Sequence, residues 1–411
     1  MAVDSLLIQL QIPSSRWIDV GYLRNSKNKI WMEFLTSYWD MARRPVLGQR
    51  FEERGRSWRP SSTVAIPNWF SHLLPEGRLR QAVANAAHTD PKFEFDLLRR
   101  LGASDLPGAV RVVPHDESGI VDVPGMLHAD HEEDDEDPIL KFSLAGAQLK
   151  FSVYSQAGRG ITVPAWGQAG NVILKFPDGR PGFEKVPEAE LGCLRLADAS
   201  GINAANGFLV DPHEVRGLED WASRAQGLAL AVERFDRGAD GVRIHMEELA
   251  QVLGIPTSIE MAKYRKANFE LVAVLVGALC GVQSIAEVID RIVLNVLVGN
   301  GDAHLKNWAV VYPDGRTPRL SPMYDVLPTI LYIANDNLGL KLNKSRLFED
   351  VSPASFERLG IRTGYGPTEA RKRAIEAAGR ILSQWNTLKE YLPAAAFASL
   401  TDRLKRISLA V

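Results

Sequence analysis

The stretch from residue 299 to residue 325 concentrates polar side chains suited to catalysis. Its loop contains Asp302, His304 and Asn307, and a second carboxylate, Asp325, follows downstream. Phosphoryl transfer from ATP needs a carboxylate that accepts the proton of the attacking hydroxyl, and oxygen ligands for Mg²⁺. We therefore predict Asp302 as the base, Asn307 and Asp325 as metal ligands, and His304 as a hydrogen-bond donor to the transferred phosphate. The spacing alone leaves open a polar loop whose side chains only cap turns.

A patterned helix is predicted before this loop. Apolar residues recur at helical spacing from Ile285 to Val296, which indicates one buried helix face. Ser284 and Glu287 match a capping box at its start. The Gly299–Gly301 segment then ends the helix, because glycine adopts backbone angles that interrupt it.

A hairpin is predicted after the loop. Trp308–Tyr312 and Arg316–Leu320 have strand character, and a Pro-Asp-Gly turn separates them. An antiparallel hairpin brings the residue before its first strand close to the residues after its second strand. Asn307 and Asp325 are therefore expected to lie close together, with Asp302 nearby.

One lysine lies within an apolar strand. Lys175 interrupts the strand predicted over Asn171–Phe176, and an unpaired charge buried there would be costly. ATP phosphates would supply a partner, and so would Glu190 on the helix predicted to start near Pro187. We predict that Lys175 binds nucleotide and pairs with Glu190 or a near neighbour. The alternative is a lysine whose ammonium group stays in water.

Several motifs resemble one known family. GNGDAHLKNW followed by LSPMYDV is similar to the catalytic and metal-binding segments of the HipA family, the kinase toxins of bacterial toxin–antitoxin pairs. KFSLAGAQLK resembles its SxAGAQxK segment, and LALAVERFDR resembles its AVERFDR hinge. NWFSHLLPEGRLR and FDLLRRLGASDLPGAVRVVP are similar to its N-terminal domain. The resemblance implies an α+β fold: a two-lobed, protein-kinase-like enzyme with a small β-rich N-terminal domain.

The resemblance also implies roles for further residues. Ser143 corresponds to the serine whose autophosphorylation ejects its loop and switches the kinase off. The resemblance also implies nucleotide contacts from a turn of small residues, Ala145, Gly146 and Ala147, and from Lys150 at the end of that motif. Further implied contacts are Glu233 and Phe235 in the hinge, and Tyr324 before Asp325. For Lys150, the alternative is an exposed lysine on a strand. For residues 233–237, the alternatives are a merely charged turn, or arginines that orient Asp302.

The chain divides into four predicted regions. Residues 1–115 form an N-terminal α+β domain, 116–138 an acidic linker, 139–237 the kinase N-lobe, and 238–411 a mostly helical C-lobe. The like charges of Asp130–Asp137 predict a disordered or mobile segment. A metal site involving His128 and His131 beside these carboxylates is the alternative.

Local patterns predict the elements of the N-terminal region. Leu6–Ile12 and Trp17–Leu23 suggest a hairpin, Lys29–Phe34 a third strand, Pro67–Val83 a helix interrupted at Pro75, and Ala109–Val113 a last strand. Six arginines at positions 43, 44, 50, 54, 56 and 59 are interleaved with Phe51 and Trp58. They form either a contact surface for DNA or an acidic partner, or a solvated loop balanced by Glu52 and Glu53.

Helices are predicted through most of the C-lobe. They cover Met246–Leu253, Ser258–Val282, Glu369–Tyr391 and Ala394–Leu409. The stretch Val326–Leu347 corresponds in position to the mobile segment that receives the substrate in kinase-like proteins.

Composition limits the class of protein. A formal net charge of −2 gives no general attraction to nucleic acid or to anionic membranes. Cys193 and Cys280 have no partner at metal spacing, so buried free thiols in a reducing cytoplasm are expected. The N-terminus lacks a signal-peptide pattern, and the most apolar stretch, Leu271–Val282, is too short to span a bilayer.

Together these features predict an ATP- and Mg²⁺-dependent serine/threonine protein kinase. The resemblance implies a toxin that acts on a cellular protein of translation or growth. It also implies a HipB-like helix-turn-helix antitoxin, with operator DNA contacted through that partner. A solitary kinase remains possible in place of a toxin. A nucleotide-binding, non-catalytic scaffold or corepressor is the main alternative, and a metal-dependent hydrolase centred on Asp302 and His304 is a third.

Overall fold

The computed structural model describes residues 4–27, 29–63, 65–103, 105–115, 150–156, 160–163, 169–238 and 241–410. The predicted acidic segment therefore lies outside the described residues, and the predicted region boundaries stay predictions. Within the described residues, no helix has the length and apolar character needed to cross a bilayer.

An antiparallel five-stranded sheet forms the N-terminal module, which comprises the described residues up to 115. Its strand order is β4-β3-β2-β1-β5. The predicted hairpin, third strand and last strand are confirmed. The predicted helix interruption at Pro75 is also confirmed, since one helix ends at Ser71 and the next begins at Gly77. The strands are β1 Asp4–Gln11, β2 Trp17–Ser26, β3 Lys29–Phe34, β4 Ser61–Ser62 and β5 Val110–His115; the helices are α1 Thr36–Trp39, α2 Gln49–Arg54, α3 Asn68–Ser71, α4 Gly77–Ala86 and α5 Glu94–Leu101.

The arginine-rich segment of this module is largely engaged in contacts within the chain. Arg44 pairs with Glu52 at 2.5 Å and lies over the ring of Trp39. Arg50 donates a hydrogen bond to the carbonyl of Leu253 at 2.9 Å. Arg56 and Arg59 pair with Asp40 and Glu33, each at 3.1 Å.

A six-stranded sheet forms the N-lobe, in the order β10-β7-β6-β8-β11-β9. Its apolar residues share one hydrophobic cluster with the N-terminal module: Leu6 and Ile8 of β1 belong to the same cluster as Phe151 and Leu174. The N-lobe and the module are therefore packed through a continuous core. The strands are β6 Lys150–Gln156, β7 Gly160–Thr162, β8 Val172–Lys175, β9 Gly207–Val210, β10 Val215–Arg216 and β11 Ala229–Glu233; the helices are α6 Val186–Ala199 and α7 Glu219–Ala222.

Helices around a small sheet form the C-lobe. The predicted hairpin is confirmed as β13 and β14, and a further strand, β12, pairs with β13. The helix α11 is buried on almost every side and forms the centre of the C-lobe core. The strands are β12 His245–Glu248, β13 Ala309–Tyr312 and β14 Arg319–Leu320; the helices are α8 Leu249–Leu253, α9 Ala262–Arg265, α10 Phe269–Cys280, α11 Ile285–Val298, α12 Glu357–Thr363, α13 Pro367–Ser383 and α14 Ala394–Arg403.

Three expectations for the C-lobe were wrong in detail. The start of the helix predicted at Met246–Leu253 is strand β12, because pairing with β13 outweighs helix propensity. The segment Ser258–Val282, predicted to be helical, is interrupted between α9 and α10, since the Asn268 side chain accepts from the Leu271 N–H and starts a new helix. The capping box at Ser284 is absent, because its hydroxyl donates to the Cys280 carbonyl instead.

Two other expectations are modified. The stretch after Asp325, expected to be mobile, packs Leu338, Leu340 and Leu342 into the C-lobe core. Both cysteines are free, but Cys193 is buried whereas Cys280 is only partly buried.

Candidate active site

The loop after α11, residues 299–307, is fixed by two asparagines. α11 ends at Val298, and Gly299 follows with a φ of 76°, which glycine adopts readily. Nδ2 of Asn300 donates to Oδ1 of Asn295 at 2.8 Å. The backbone N–H of Asp302 donates in turn to Oδ1 of Asn300 at 3.0 Å. The backbone of Asp302 is therefore held in place, although its side chain is about half exposed.

Tyr264 is a partner of Asp302 that the sequence did not reveal. Its hydroxyl donates a hydrogen bond to Oδ1 of Asp302. Burial, and then the charge of Asp302, raise the pKa of Tyr264, so the hydroxyl keeps its proton at neutral pH. Oδ2 of Asp302 receives no hydrogen bond from the described residues. Tyr264 lies in the short helix α9, and no spacing pattern links it to the loop.

His304 is a buried, neutral imidazole beside the same carboxylate. Its Nε2 lies 3.8 Å from Oδ1 of Asp302, too far for a hydrogen bond. The ring meets that of Tyr264 edge-on, with 4.9 Å between centroids. Burial lowers the pKa of His304 to about 4, and Asp302 offsets this only in part. A neutral imidazole still carries one N–H, so it retains the chemistry of the predicted hydrogen-bond donor.

The hairpin brings Asn307 and Asp325 to the same cleft as Asp302. Nδ2 of Asn307 donates to the backbone carbonyl of Asp302 at 2.8 Å. The hydroxyl of Tyr324 donates to the carbonyl of Lys306 at 2.7 Å. This second bond ties the segment after β14 to the loop before β13, as the hairpin geometry predicts.

Asp325 lies between two lysines of the N-lobe sheet. Lys150 and Lys175 are direct cross-strand partners on β6 and β8, where two like charges repel each other. Nζ of Lys150 donates to Oδ2 of Asp325 at 3.0 Å, and Nζ of Lys175 donates to Oδ1. Burial opposes the charge of Asp325, but the two ammonium groups hold its pKa far below the ordinary value. Lys150 is therefore not an exposed strand lysine.

The backbone at Asp325 adopts a left-handed conformation, with a φ of 56°. Aspartate tolerates this conformation better than most residues, because its short polar side chain forms local hydrogen bonds. The conformation places the carboxylate against the N-lobe although the residue belongs to the C-lobe.

The expected ion pair between Lys175 and Glu190 is present. Nζ of Lys175 on β8 donates to Oε1 of Glu190 on α6 at 2.5 Å, and both side chains are buried. Burial disfavours the ammonium ion, but Asp325 and Glu190 raise the pKa of Lys175 above its ordinary value. The alternative of a lysine with its ammonium group in water is therefore wrong.

The hinge after β11 includes a backbone N–H, that of Phe235, without a hydrogen-bond acceptor among the described residues. Glu233 and Phe235 both line the cleft. The N–H of Glu233 donates to the carbonyl of Asn206 at 2.9 Å and is not available to a ligand. The N–H of Phe235 makes no hydrogen bond with the described residues, and its ring lies 5.3 Å from that of Tyr324. Phe235 is therefore better suited than Glu233 to meet an adenine through its backbone.

The charged residues after Glu233 are buried and serve the fold. Arg234 donates to Oδ2 of Asp105 at 2.7 Å and to the carboxylate of Asp236 at 2.8 and 2.9 Å. Arg237 donates to Oδ1 of Asp105 at 2.5 Å. Because Asp105 belongs to the N-terminal module, this cluster fixes the hinge to that module. The arginines thus have a structural role, which agrees with the charged-turn alternative, and the alternative in which they orient Asp302 is wrong.

A carboxylate of the N-terminal module reaches the 299–307 loop. Oε1 of Glu76 accepts from Nζ of Lys306 at 2.7 Å, and Oε2 accepts from Lys263 at 3.4 Å. Burial would raise the pKa of Glu76, but these two ammonium groups lower it to about 2. Burial raises the pKa of nearby Glu248 to about 7. Glu76 and Lys306 are 230 positions apart, so no local pattern predicted their contact.

Asn307 and Asp325 carry oxygen donors that suit Mg²⁺. Nδ2 of Asn307 donates to the Asp302 carbonyl, and its Oδ1 accepts no hydrogen bond from the described residues. Across the described ranges, no three His, Cys, Asp or Glu side chains lie close enough to hold a metal ion by themselves. Mg²⁺ usually takes one or two protein ligands and fills its other positions with phosphate oxygens and water. The pair therefore fits a cation that arrives with a nucleotide.

All predicted site residues that the structure describes share one cleft of about 270 Å³. Ser143, Ala145, Gly146 and Ala147 lie outside the described residues. The residues brought together are Lys150, Lys175, Glu190, Glu233, Phe235, Asp302, His304, Asn307, Tyr324 and Asp325.

Comparisons with known proteins cover most of the chain. The family model for the HipA N-terminal domain matches residues 16–113, and that for the HipA-like C-terminal domain matches residues 142–385. "Putative kinase Y4dM" of Sinorhizobium fredii is 38% identical over 349 residues, covering 82% of this chain and 81% of the relative. "Putative kinase Y4mE" of the same organism is 29% identical over 388 residues, covering 86% and 88%.

A solved structure shares the fold. It is HipA of Shewanella oneidensis MR-1, from a toxin–antitoxin complex with HipB and operator DNA. The TM-score is 0.73 with 19% sequence identity, and the match covers 98% of this chain and 96% of the other. The two-lobed α+β architecture with a β-rich N-terminal domain is thus confirmed.

Proposed function

The chain belongs to the HipA family, and on that premise we propose that it is an ATP- and Mg²⁺-dependent protein kinase specific for serine or threonine. The main support is one cleft in which Asp302, Asn307 and Asp325 face a lysine held by Glu190. The two Sinorhizobium relatives carry kinase names, which agrees with this proposal.

ATP would bind between the hinge and the two lysines. Its adenine would accept a hydrogen bond from the N–H of Phe235. Its phosphates would attract the ammonium groups of Lys150 and Lys175, which already lie side by side. Asp325, relieved of those two partners, and Asn307 would then hold Mg²⁺. The cation would neutralise charge on the phosphate oxygens.

Transfer would start from an acceptor hydroxyl placed at Asp302. A bond forms between the hydroxyl oxygen and the γ-phosphorus, while the bond from that phosphorus to the β–γ bridging oxygen breaks. The bonding electrons leave with ADP, and the hydroxyl proton passes to the carboxylate of Asp302. Tyr264 would keep Oδ1 oriented, leaving Oδ2 to face the acceptor. The neutral His304 would donate its N–H to the phosphoryl group in transfer.

The proposed biological role is that of a cytoplasmic toxin which phosphorylates a protein of translation and is held by a HipB-like antitoxin. The Shewanella neighbour was solved with HipB and operator DNA, which supports a partner of this kind. Contact with operator DNA would run through the antitoxin, since a net charge of −2 gives the chain no general attraction to DNA. Autophosphorylation of Ser143 would switch the enzyme off.

Mass mapping after incubation with labelled ATP and Mg²⁺ tests the activity. We expect phosphate on Ser143 in the wild type and none in Asp302→Asn or Asp325→Asn. Ser143→Ala should lose self-labelling and still label an acceptor protein. If the wild type binds ATP and transfers nothing to itself or to any acceptor, the kinase proposal fails in favour of a scaffold.

Purification with a neighbouring gene product tests the toxin role. We expect a short helix-turn-helix protein to be encoded beside this chain and to co-purify with it. A gene without such a neighbour, whose product purifies alone and phosphorylates acceptors, would indicate a solitary kinase.

A further inference from the structure

A groove of about 660 Å³ runs between the N-terminal module and the C-lobe. One wall comes from the module, including His72, Glu76 and Pro91, and the other comes from residues 255–263. Among the described lining residues, none belongs to the N-lobe sheet that carries Lys150 and Lys175. The groove is therefore separate from the proposed phosphate-binding surface.

The groove lies beside the catalytic cleft. Glu76, Glu260, Lys263 and Lys306 line both spaces, so the two are neighbours at the 299–307 loop. The ion pair between Glu76 and Lys306, at 2.7 Å, holds the module wall against that loop. A chain lying in the groove would thus pass next to the loop that carries Asp302.

The C-lobe wall presents apolar surface. Ile259 is 55% exposed, although large aliphatic side chains are usually covered, and Ile255 and Pro256 lie beside it. On the opposite wall, the apolar lining residues are Ala65 and Pro91, which are both partly buried. Apolar surface on both sides of one groove suits a partner that contributes apolar side chains.

One exposed acidic side chain at the junction, Glu260, has no counter-charge among the described residues. Two other acidic lining residues form ion pairs, Glu94 with Arg80 at 2.9 Å and Asp90 with Lys92 at 3.0 Å. Glu76 forms ion pairs with Lys263 and Lys306. Glu260, by contrast, forms no ion pair or hydrogen bond with the described residues, although it lines both the groove and the cleft. A cationic side chain of a partner would form an ion pair with Glu260.

We propose that this groove binds the acceptor protein segment, with apolar side chains against Ile259 and a lysine or arginine paired with Glu260. The segment would place its serine or threonine hydroxyl at Asp302. This inference rests on the proposed kinase function and adds a specificity to it. It also gives the N-terminal module a direct part in substrate selection.

Peptide phosphorylation tests the apolar contact. In a randomised serine/threonine peptide library, the wild type should favour sequences with apolar residues near the acceptor. Ile259→Asp should raise KM for a favoured peptide roughly tenfold while KM for ATP changes less than about twofold. Ile361→Asp is the matched control, since Ile361 is 67% exposed on α12, away from the groove, and should leave both KM values unchanged.

Charge reversal tests the role of Glu260. The wild type should have a higher kcat/KM for a peptide with arginine than for the same peptide with aspartate in its place. Glu260→Lys should lower the ratio of these two kcat/KM values at least roughly tenfold. Glu390→Lys, a reversal at an exposed residue outside the groove, should leave the ratio unchanged.

Two contrary results are distinguishable. The first is peptide phosphorylation with an unchanged peptide KM in Ile259→Asp and an unchanged arginine-to-aspartate preference in Glu260→Lys. This result would contradict binding of the acceptor segment in the groove and leave the proposed kinase function standing. ATP binding without transfer to any acceptor would overturn both.

Discussion

Among the described residues, the Asp302 carboxylate has one neutral hydrogen-bond donor, Tyr264, and no bonded ammonium group. The lysine nearest in sequence, Lys306, is turned toward Glu76 instead. Tyr264 therefore orients the proposed base without supplying a positive charge that would weaken it. The arrangement favours acceptance of a proton by the other carboxylate oxygen.

Removal of that donor should slow transfer. We expect Tyr264→Phe to lower kcat roughly 10- to 100-fold, because the carboxylate loses its orientation, with KM for ATP nearly unchanged. Tyr391→Phe, whose hydroxyl makes no hydrogen bond with the described residues, should leave kcat unchanged. Steady-state kinetics on both variants measures the difference. Equal kcat in Tyr264→Phe and wild type would show that Tyr264 does not position Asp302.

The sequence predicted the site residues that share a loop or flank a hairpin. Asp302 and Asn307 were identified by spacing, and the turn before β14 indicated that Asp325 returns to them. Tyr264 and Glu76 were missed because their contacts join segments 38 and 230 positions apart. Such contacts depend on how the N-terminal module and α9 pack, which no local period encodes.

At the scale of elements, β6 and β8 carry the two lysines proposed to bind nucleotide, and α6 supplies a carboxylate to one of them. The strand register places Lys150 opposite Lys175, and α6 directs Glu190 at the second lysine. Asp325 lies between the lysines and joins the C-lobe to this surface. The N-lobe charges thus depend on partners from two other elements.

The affinity for ATP should depend on the ion pair between Lys175 on β8 and Glu190 on α6. We expect Lys175→Met to raise the ATP Kd at least roughly tenfold, and Glu190→Gln to raise it less. The double variant should resemble Lys175→Met, giving a coupling energy of about 1–3 kcal/mol in the double-mutant cycle. Calorimetric titration supplies the four Kd values. Additive effects would contradict a role of Glu190 through Lys175.

Strand β12 shows why the sequence misidentified one element. Residues 246–248 have helix-compatible side chains, yet Glu247 is fully buried and faces the N-terminal module. It accepts hydrogen bonds from Trp69 Nε1 at 2.8 Å, from the Gln49 N–H at 3.0 Å and from the Tyr312 hydroxyl at 2.6 Å. A buried carboxylate with three distant donors cannot be inferred from periodicity.

Loss of this acceptor should weaken the contact between module and C-lobe. We expect Glu247→Ala to lower the free energy of unfolding by about 3 kcal/mol or more, since three buried donors lose their acceptor. Glu53→Ala, at an exposed site on α2, should change it by less than about 0.5 kcal/mol. Urea denaturation provides both values. A Glu247→Ala effect as small as the control would contradict the importance of this contact.

At the scale of the whole molecule, a continuous core and a buried charge cluster join the N-terminal module to the kinase-like body. The apolar cluster spans both sheets, and Asp105 of the module bonds to Arg234 and Arg237 of the hinge. The family resemblance indicated a module packed on a kinase. The charges that fix it were missed, because the hinge arginines had several plausible roles in sequence.

Neutralisation of Asp105 should destabilise the molecule in a pH-dependent way. We expect Asp105→Asn to lower the free energy of unfolding by roughly 3–5 kcal/mol at neutral pH, because two buried arginines lose a counter-charge. Burial would raise the pKa of Asp105, but the arginines lower it from 3.8 to about 2.

The sign of this pH dependence follows from that lowered pKa. Stabilisation by the carboxylate is complete above 3.8, the unfolded value, and is lost as the pH falls through about 2. The difference between wild type and variant in urea unfolding should therefore shrink below a pH of about 4. A difference that stays constant down to a pH of about 2 would contradict the assigned ion pairs.

The most direct test of the central claim is the single-turnover rate of γ-phosphate transfer, measured for wild type and Asp302→Asn at matched ATP occupancy. The account predicts an ATP Kd within about threefold of wild type for the variant, and a transfer rate lower by roughly 100-fold or more. Transfer by Asp302→Asn at the wild-type rate would show that this carboxylate is not the base.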